Sequence, residues 1–271
     1  MGMGKMPLEM PPFPVTERVL AELDEWLSEL AAPLIPLKRV PAGPPEAKGF
    51  RWAFREETER ALVISKSVRM ISAIRAAFIL VDLGYVTECG TLLRTVSDFA
   101  NEILSITEGV RSGNPTAAQK KFVEQYFTPI PEDPDAYDAQ KRERFVTRDE
   151  LLSAHYRLAA EEMAAKRKDA VSPEKARKIL RYLAYMYDKY VHGSYVTAME
   201  LYHGGTWRFM TSGLQSVEYV HLCKTQAASK LHEAVCALAW VAVGMGMVPL
   251  AARIEAVQKE LYGSGELSSR E

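Results

Sequence analysis

Hydrophobic residues in this chain recur three and four positions apart over long stretches, which is the spacing of the buried face of an α-helix. Thr16, Thr147 and Ser172 each stand at the start of such a segment, where their side chains can cap a helix. These signals predict helices over about 16–30, 52–83, 86–109, 115–126, 147–168, from 172 through His192, 214–247 and 249–262. The core face of the second helix is predicted to consist of Leu62, Ile64, Val68, Ile71, Ile74, Phe78 and Ile79.

The predicted fold is all-α, a multi-helix bundle of roughly seven to nine helices with at most one short extended segment, near 206–210. Several prolines between Pro33 and Pro45 indicate a stiff linker after the first helix. The expected division of the chain is a Pro-rich N-terminal segment with one helix (1–48), a helical bundle domain (49–262) and a disordered polar tail (263–271).

The composition is that of an ordinary globular protein, with 271 residues of which 48% are hydrophobic and 25% charged. It excludes a largely disordered chain and allows a sizeable core. A net charge of −1 gives no global attraction to nucleic acid or anionic lipid, so such binding would need a local patch. Three cysteines without a Cys-x-x-Cys spacing fit a reducing cytoplasm, and the N-terminus lacks the apolar run of a secretory signal.

One uncharged run, 234–252, has the length of a membrane span. Its many Ala and Gly residues contribute little apolar area, so a buried core helix is preferred and no membrane association is predicted. Gly244-Met245-Gly246 within this run predicts a kink or a close approach of two backbones.

Two polar pairs provide the candidate chemistry, because Arg94 and Asp98, and likewise Asp188 and His192, stand four positions apart on predicted helices. Buried charges are normally paired, so both pairs could share one interior site. There Asp188 would orient His192 as a general base or acid, and Arg94 would bind an anion. The commonplace explanation of the same residues is an exposed charge ladder on one helix and amphipathic residues at a helix seam on the other. The catalytic candidates are therefore His192, Arg94, Asp188 and Asp98.

A basic stretch leads into the helix that carries His192, and it consists of Lys166, Arg167, Lys168, Lys175, Arg177, Lys178 and Arg181. It is explained either by a solvated basic face or by a surface for RNA or DNA phosphates. The chain has no phosphate-loop, dinucleotide-binding or nucleophile-elbow motif. Its Glu218-x-x-His221 pair has no second copy of the kind that a di-iron bundle needs. Neither a metal nor a cofactor is therefore predicted.

Two short motifs resemble those of a broad family of helical proteins of unknown function, over roughly 64–247. They are Leu92-Leu93-Arg94-Thr95-Val96-Ser97-Asp98 and Tyr190-Val191-His192-Gly193-Ser194-Tyr195. More distantly, the chain is similar to HEPN domains, helical bundles that often dimerise and include metal-independent ribonucleases. This resemblance implies a HEPN-like core and a homodimer. In active HEPN ribonucleases an Arg shortly precedes the His within one helix. In this chain those places are occupied by Tyr185, Met186 and Tyr187. Arg94 would therefore have to supply the cation from another helix.

The sequence leaves two functions open. The first is an RNA-binding or metal-independent RNA-cleaving protein of the defence or toxin type. In it His192 would be the base that acts on a ribose 2′-hydroxyl, and Arg94 would stabilise the phosphorane charge. The second is a non-enzymatic helical module that binds another protein, in which the same residues form a buried structural network.

Overall fold

A computed structural model shows how these segments assemble. It describes residues 12–41, 49–128, 135, 146–153, 155–157, 160–161, 163, 171–192, 199, 201–203, 208–211, 213 and 216–267. In chain order the described elements are α1 (Pro14–Ala31), a 3-10 turn (Ala32–Leu34), β1 (Lys38–Pro41), β2 (Phe50–Ala53), α2 (Glu59–Asp82), α3 (Val86–Ser112), α4 (Ala117–Phe127), α5 (Arg148–Leu151), α6 (Pro173–Val191), β3 (Tyr202–His203), β4 (Arg208–Phe209), α7 (Val217–Gly244) and α8 (Val248–Gly263). This confirms the predicted all-α multi-helix bundle.

The centre of the bundle is formed by α2, α3 and α7, which pack against one another along most of their lengths. Small residues allow α7 to approach its neighbours closely, and Ala227, Ala228, Ala234 and Ala237 are all fully buried. At the end of α7 a Cβ on Gly244 would lie 2.5 Å from Thr107 Cγ2 of α3. The close contact at this glycine is thus with a side chain of α3, the Thr107 methyl group.

The uncharged run 234–252 is divided between two helices, because α7 ends at Gly244 and α8 begins at Val248. Gly246 has a φ of +75°, a conformation that favours glycine, and it turns the chain between them. Among the residues that the structure describes, no helix is both long enough and apolar enough to cross a membrane.

The predicted core face of α2 is correct at five positions and wrong at two. Leu62, Ile64, Ile71, Ile74 and Phe78 are buried, as predicted. Val68 and Ile79 are exposed instead. These two lie eleven positions apart, about three helical turns, so both belong to the one stripe of α2 that faces solvent. Because the rest of α2 is covered by neighbouring helices, hydrophobicity does not mark the exposed stripe.

Two small antiparallel sheets correct the expectation of at most one extended segment. In the first, β1 pairs with β2, so the segment expected to be a stiff linker contains a strand. The second helix accordingly begins at Glu59 rather than near Trp52, where the Thr58 side chain accepts a hydrogen bond from the Ala61 N–H. In the second sheet β4 pairs with β3 and confirms extended backbone at 208–209, while 206 and 207 lie outside the described residues.

The ends of the described chain belong to the same packed body. Helix α1 packs against α2, α7 and α8. Thr16 does not cap this helix, since it lies within the first turn and is buried. The cap is Glu266, whose carboxylate accepts hydrogen bonds from the backbone N–H groups of Val15 (3.0 Å) and Thr16 (2.9 Å). Glu266 falls within the predicted disordered tail, and the predicted boundary at 48–49 falls between two strands that pair with each other.

Candidate functional site: an ion-pair cluster between α3, α5 and α6

Arg94 is the central residue of the candidate site. It lies on α3, and its side chain is only 11% exposed. Its Nε donates a hydrogen bond to Asp188 Oδ1 of α6 at 2.7 Å, and its Nη1 donates to Asp98 Oδ1 one turn further along α3. The guanidinium group therefore bridges two carboxylates from two helices. The predicted proximity of Arg94, Asp98 and Asp188 is what the structure shows.

Arg148 completes the cluster, and sequence reasoning did not assign it to the site. Its Nη2 lies 2.7 Å from Asp98 Oδ1. Its position is set by the predicted capping box, which the structure confirms. The Thr147 side chain accepts a hydrogen bond from the Glu150 N–H, and the Thr147 N–H donates one to Glu150 Oε2. This cap sets Arg148 as the first residue of α5, but the sequence does not reveal which helix it faces.

The electrostatics of the cluster are set by burial. Burial raises the pKa of the Asp98 carboxyl above its ordinary value, although the guanidinium groups of Arg148 and Arg94 act in the opposite direction. A carboxyl whose pKa is raised by folding makes the fold less stable as the pH rises through that pKa. At neutral pH the ionised Asp98 carboxylate therefore lowers the free energy of unfolding, and its two arginine partners offset part of this loss.

Two adjoining cavities lie on either side of Arg94 and Arg148. The larger, of about 300 Å³, extends towards Asp149, Tyr156 and Asp188. At its far wall Asp149 Oδ1 accepts hydrogen bonds from the Tyr156 hydroxyl and from Arg181 Nε, both at 3.1 Å. Cations and carboxylates thus alternate along this wall.

The smaller cavity, of about 190 Å³, extends towards α7. On that side the Ser97 hydroxyl donates to Glu233 Oε2 at 3.2 Å, and Lys230 Nζ lies 2.6 Å from the same oxygen. The cavities are therefore lined by charges that already pair with one another, which limits the net attraction for an ionic ligand.

Close packing fixes α6 against α3 beside the cluster. A Cβ on Gly90 would lie 2.5 Å from Cγ of the Tyr190 ring. Gly90 stands one turn before Arg94, and Tyr190 stands two residues after Asp188. The absence of a side chain at Gly90 thus allows the approach that brings Arg94 to Asp188.

His192 lies at the edge of this arrangement rather than inside it. It is the C-cap residue of α6, it is exposed, and its backbone N–H donates to the Asp188 carbonyl at 3.0 Å. The Asp188 carboxylate is held by Arg94, and among the described contacts no hydrogen bond joins it to the His192 ring. That Asp188 orients the His192 ring stays a prediction, and these contacts do not support it.

The predicted basic stretch is only partly described. Lys166, Arg167 and Lys168 lie outside the described residues. On α6, Lys175 is exposed and Arg177 is half-buried. Lys178 Nζ lies 3.2 Å from Glu174 Oε1, and Arg181 pairs with Asp149. The positive charge that α6 offers to an outside anion is reduced by these two pairs.

The residues that the structure describes do not form a metal site. Within this part of the chain, no three His, Cys, Asp or Glu side chains are grouped so that they could hold an ion. Comparisons of the chain with protein-family models, with curated proteins and with solved structures found no match.

Proposed function

We propose that this protein is a non-enzymatic helical interaction module, in which Arg94, Asp98, Asp188 and Arg148 form a structural network. The observation that carries this proposal is that Arg94, which is nearly buried, is bonded to carboxylates on both sides. A guanidinium group engaged in this way ties α6 to α3, and its positive charge is already balanced by two carboxylates rather than held for a reacting phosphate.

The network supports the bundle by tying together helices that are distant in sequence. Removing one partner of a buried ion pair leaves the other charge unpaired in a poorly solvated place, which is strongly destabilising. Asp188 and Asp98 are more than one-third exposed, so solvent screens part of this effect. We expect the loss of the Asp188 carboxylate to cost about 1–2 kcal/mol of the free energy of unfolding.

A second candidate function is RNA binding with metal-independent cleavage, and the exposure of His192 favours it. His192 is exposed at the C-terminal end of α6, so an incoming ribose 2′-hydroxyl could reach the ring without any rearrangement of the helices. In this alternative His192 is the general base and Arg94 stabilises the phosphorane. It requires Arg94 to give up part of its bonding to Asp98 and Asp188 during the reaction.

The two functions are separated by measuring RNA cleavage and thermal stability on the same variants. Total RNA is incubated in EDTA with the wild type, His192→Ala and Asp188→Asn, and each protein is melted. The interaction module predicts no cleavage by any of them. It also predicts that Asp188→Asn lowers Tm by roughly 2–6 °C, while His192→Ala, an exposed position, changes it by no more than about 2 °C.

Either of two results would contradict the proposal. Cleavage by the wild type that disappears in His192→Ala would establish the ribonuclease. A wild-type Tm for Asp188→Asn would show that the ion pairs do not support the fold.

A further inference from the structure

The β1–β2 hairpin has a face made of aromatic and cationic side chains. In its register Arg39 stands opposite Trp52, and Pro41 stands opposite Phe50. Residues directly opposite each other in an antiparallel pair point to the same side, so these four share one surface. We call it the Trp52 face, defined by Arg39, Pro41, Phe50 and Trp52. All four residues are exposed.

The aromatic rings of the Trp52 face are open to solvent although they are among the largest side chains of the molecule. Phe50 is 48% exposed and Trp52 is 59% exposed. The two rings meet edge to face, with centroids 5.7 Å apart. The Arg39 guanidinium carbon lies 3.5 Å from the Phe50 ring centroid and covers one side of that ring. Trp52 is thus the ring that offers the larger free surface for stacking.

The hairpin does not need these rings to stay folded onto the bundle. Leu34 and Phe54, on either side of the strands, are the residues that pack against the hydrophobic core. The base of the hairpin is closed by hydrogen bonds from Arg55 Nε to the Pro36 carbonyl (3.1 Å) and from Lys38 Nζ to the Arg55 carbonyl (3.4 Å). Phe50 and Trp52 therefore remain exposed on a strand that other residues attach to the bundle.

The charge of the hairpin differs from that of the whole chain. Residues 32–55 contain five cations and a single acidic residue, Glu46, against a formal net charge of −1 for the protein; the cations are Lys38, Arg39, Lys48, Arg51 and Arg55. The next acidic residues are Glu56 and Glu57, and Glu57 lines a separate cavity with the end of α4. An apolar protein partner would not require this local excess of positive charge, whereas a polyanion would.

We propose that the Trp52 face binds a single-stranded nucleic acid, with a base stacked on Trp52 and a neighbouring phosphate paired with Arg39. Unstacked bases bind to exposed aromatic rings, and a flanking cationic groove follows the phosphate backbone. A double helix would present no unstacked base to Trp52. The proposal names a partner for the interaction module and does not depend on the ion-pair cluster, since no residue is common to the two surfaces.

Fluorescence anisotropy with a labelled oligouridine of about 15 nucleotides tests this assignment in buffer of about 50 mM salt. Trp52→Ala is expected to weaken binding by at least about fivefold, and Trp52→Phe to retain most of it. Arg39→Gln should reduce the slope of log affinity against log salt by about 0.7. The matched controls are Tyr262→Ala, which removes an exposed ring on α8, and Lys259→Gln, which removes an exposed charge there; neither should change binding.

Any of four results would overturn the proposal. The first is that the wild-type protein does not bind the oligonucleotide at low salt. The second is that Trp52→Ala binds the oligonucleotide as tightly as Tyr262→Ala does. The third is that only Lys175→Gln weakens binding. The fourth is that sedimentation velocity shows the wild type to be a dimer, and that Trp52→Ala makes it monomeric without changing its affinity for the oligonucleotide. All variants keep the ion-pair cluster, so these results are independent of the cleavage assay and of the Asp188→Asn melting temperature.

Discussion

Single side chains in this protein acquire their chemistry from burial as much as from residue type. Arg94 and His192 both stood out in the sequence as polar residues on Tyr-rich or apolar helices, yet one is nearly buried between two carboxylates and the other is exposed at a helix end. The cysteines differ in the same way. Cys89 is buried on α3, and burial raises the pKa of its thiol to about 12.

Thiol reactivity should follow this difference. The thiolate is the reactive form, so Cys89 should remain unmodified by Ellman's reagent at pH 8 and also at pH 9. Cys223 is buried as well, whereas Cys236 is only partly buried and lies 3.8 Å from His232 Nδ1. We expect the native protein to react at one thiol, and Cys236→Ser to abolish that reaction.

The control is the same titration in denaturant, where all three thiols should react. A second reactive thiol in the native protein, or a reaction that persists in Cys236→Ser, would show that the buried cysteines are more accessible than the structure implies.

Helix packing beside the cluster depends on a glycine. An Ala in place of a helical Gly is normally stabilising by about 1 kcal/mol, because it restricts the unfolded chain. At Gly90 the added Cβ would meet the base of the Tyr190 ring, which cannot move away without shifting α6. Overpacking of this kind costs about 1–3 kcal/mol.

Gly90→Ala is therefore expected to lower the free energy of unfolding by about 1 kcal/mol in urea denaturation, despite its higher helix propensity. The matched control is Gly263→Ala in α8, where a Cβ would meet nothing within 4 Å. That variant should be neutral or slightly stabilising. If both variants gain stability, α6 is not held against α3 as tightly as the structure shows.

At the scale of the whole molecule, the two ends of the chain are joined. Glu266 caps the first helix from more than 200 residues away, and Arg18 of α1 lies 2.5 Å from Glu260 Oε2 of α8. A segmental division into an N-terminal piece, a bundle and a tail does not describe these contacts.

Glu266→Ala should consequently destabilise the protein by about 1–2 kcal/mol, since it removes both acceptors of a helix N-terminus. Hydrogen exchange at the backbone amides of Val15 and Thr16 should accelerate in the same variant. Glu255→Ala, which removes an exposed carboxylate of α8, is the control and should leave both quantities unchanged. Equal melting temperatures for the two variants would contradict the capping role of Glu266.

The all-α class, most helix positions and the capping box at Thr147 could be predicted from the sequence, because helical periodicity and capping depend on residues a few positions apart. The proximity of Arg94 and Asp98 could be predicted too, since they are one turn apart on one helix.

Three features follow from the assembled fold and not from the local sequence. Asp188 and Arg148 contact this pair, and His192 is exposed. The strand Lys38–Pro41 pairs with Phe50–Ala53. These outcomes depend on which faces of distant segments come into contact. Such contacts are fixed by the packing of the whole core, so the local pattern of residues does not encode them individually.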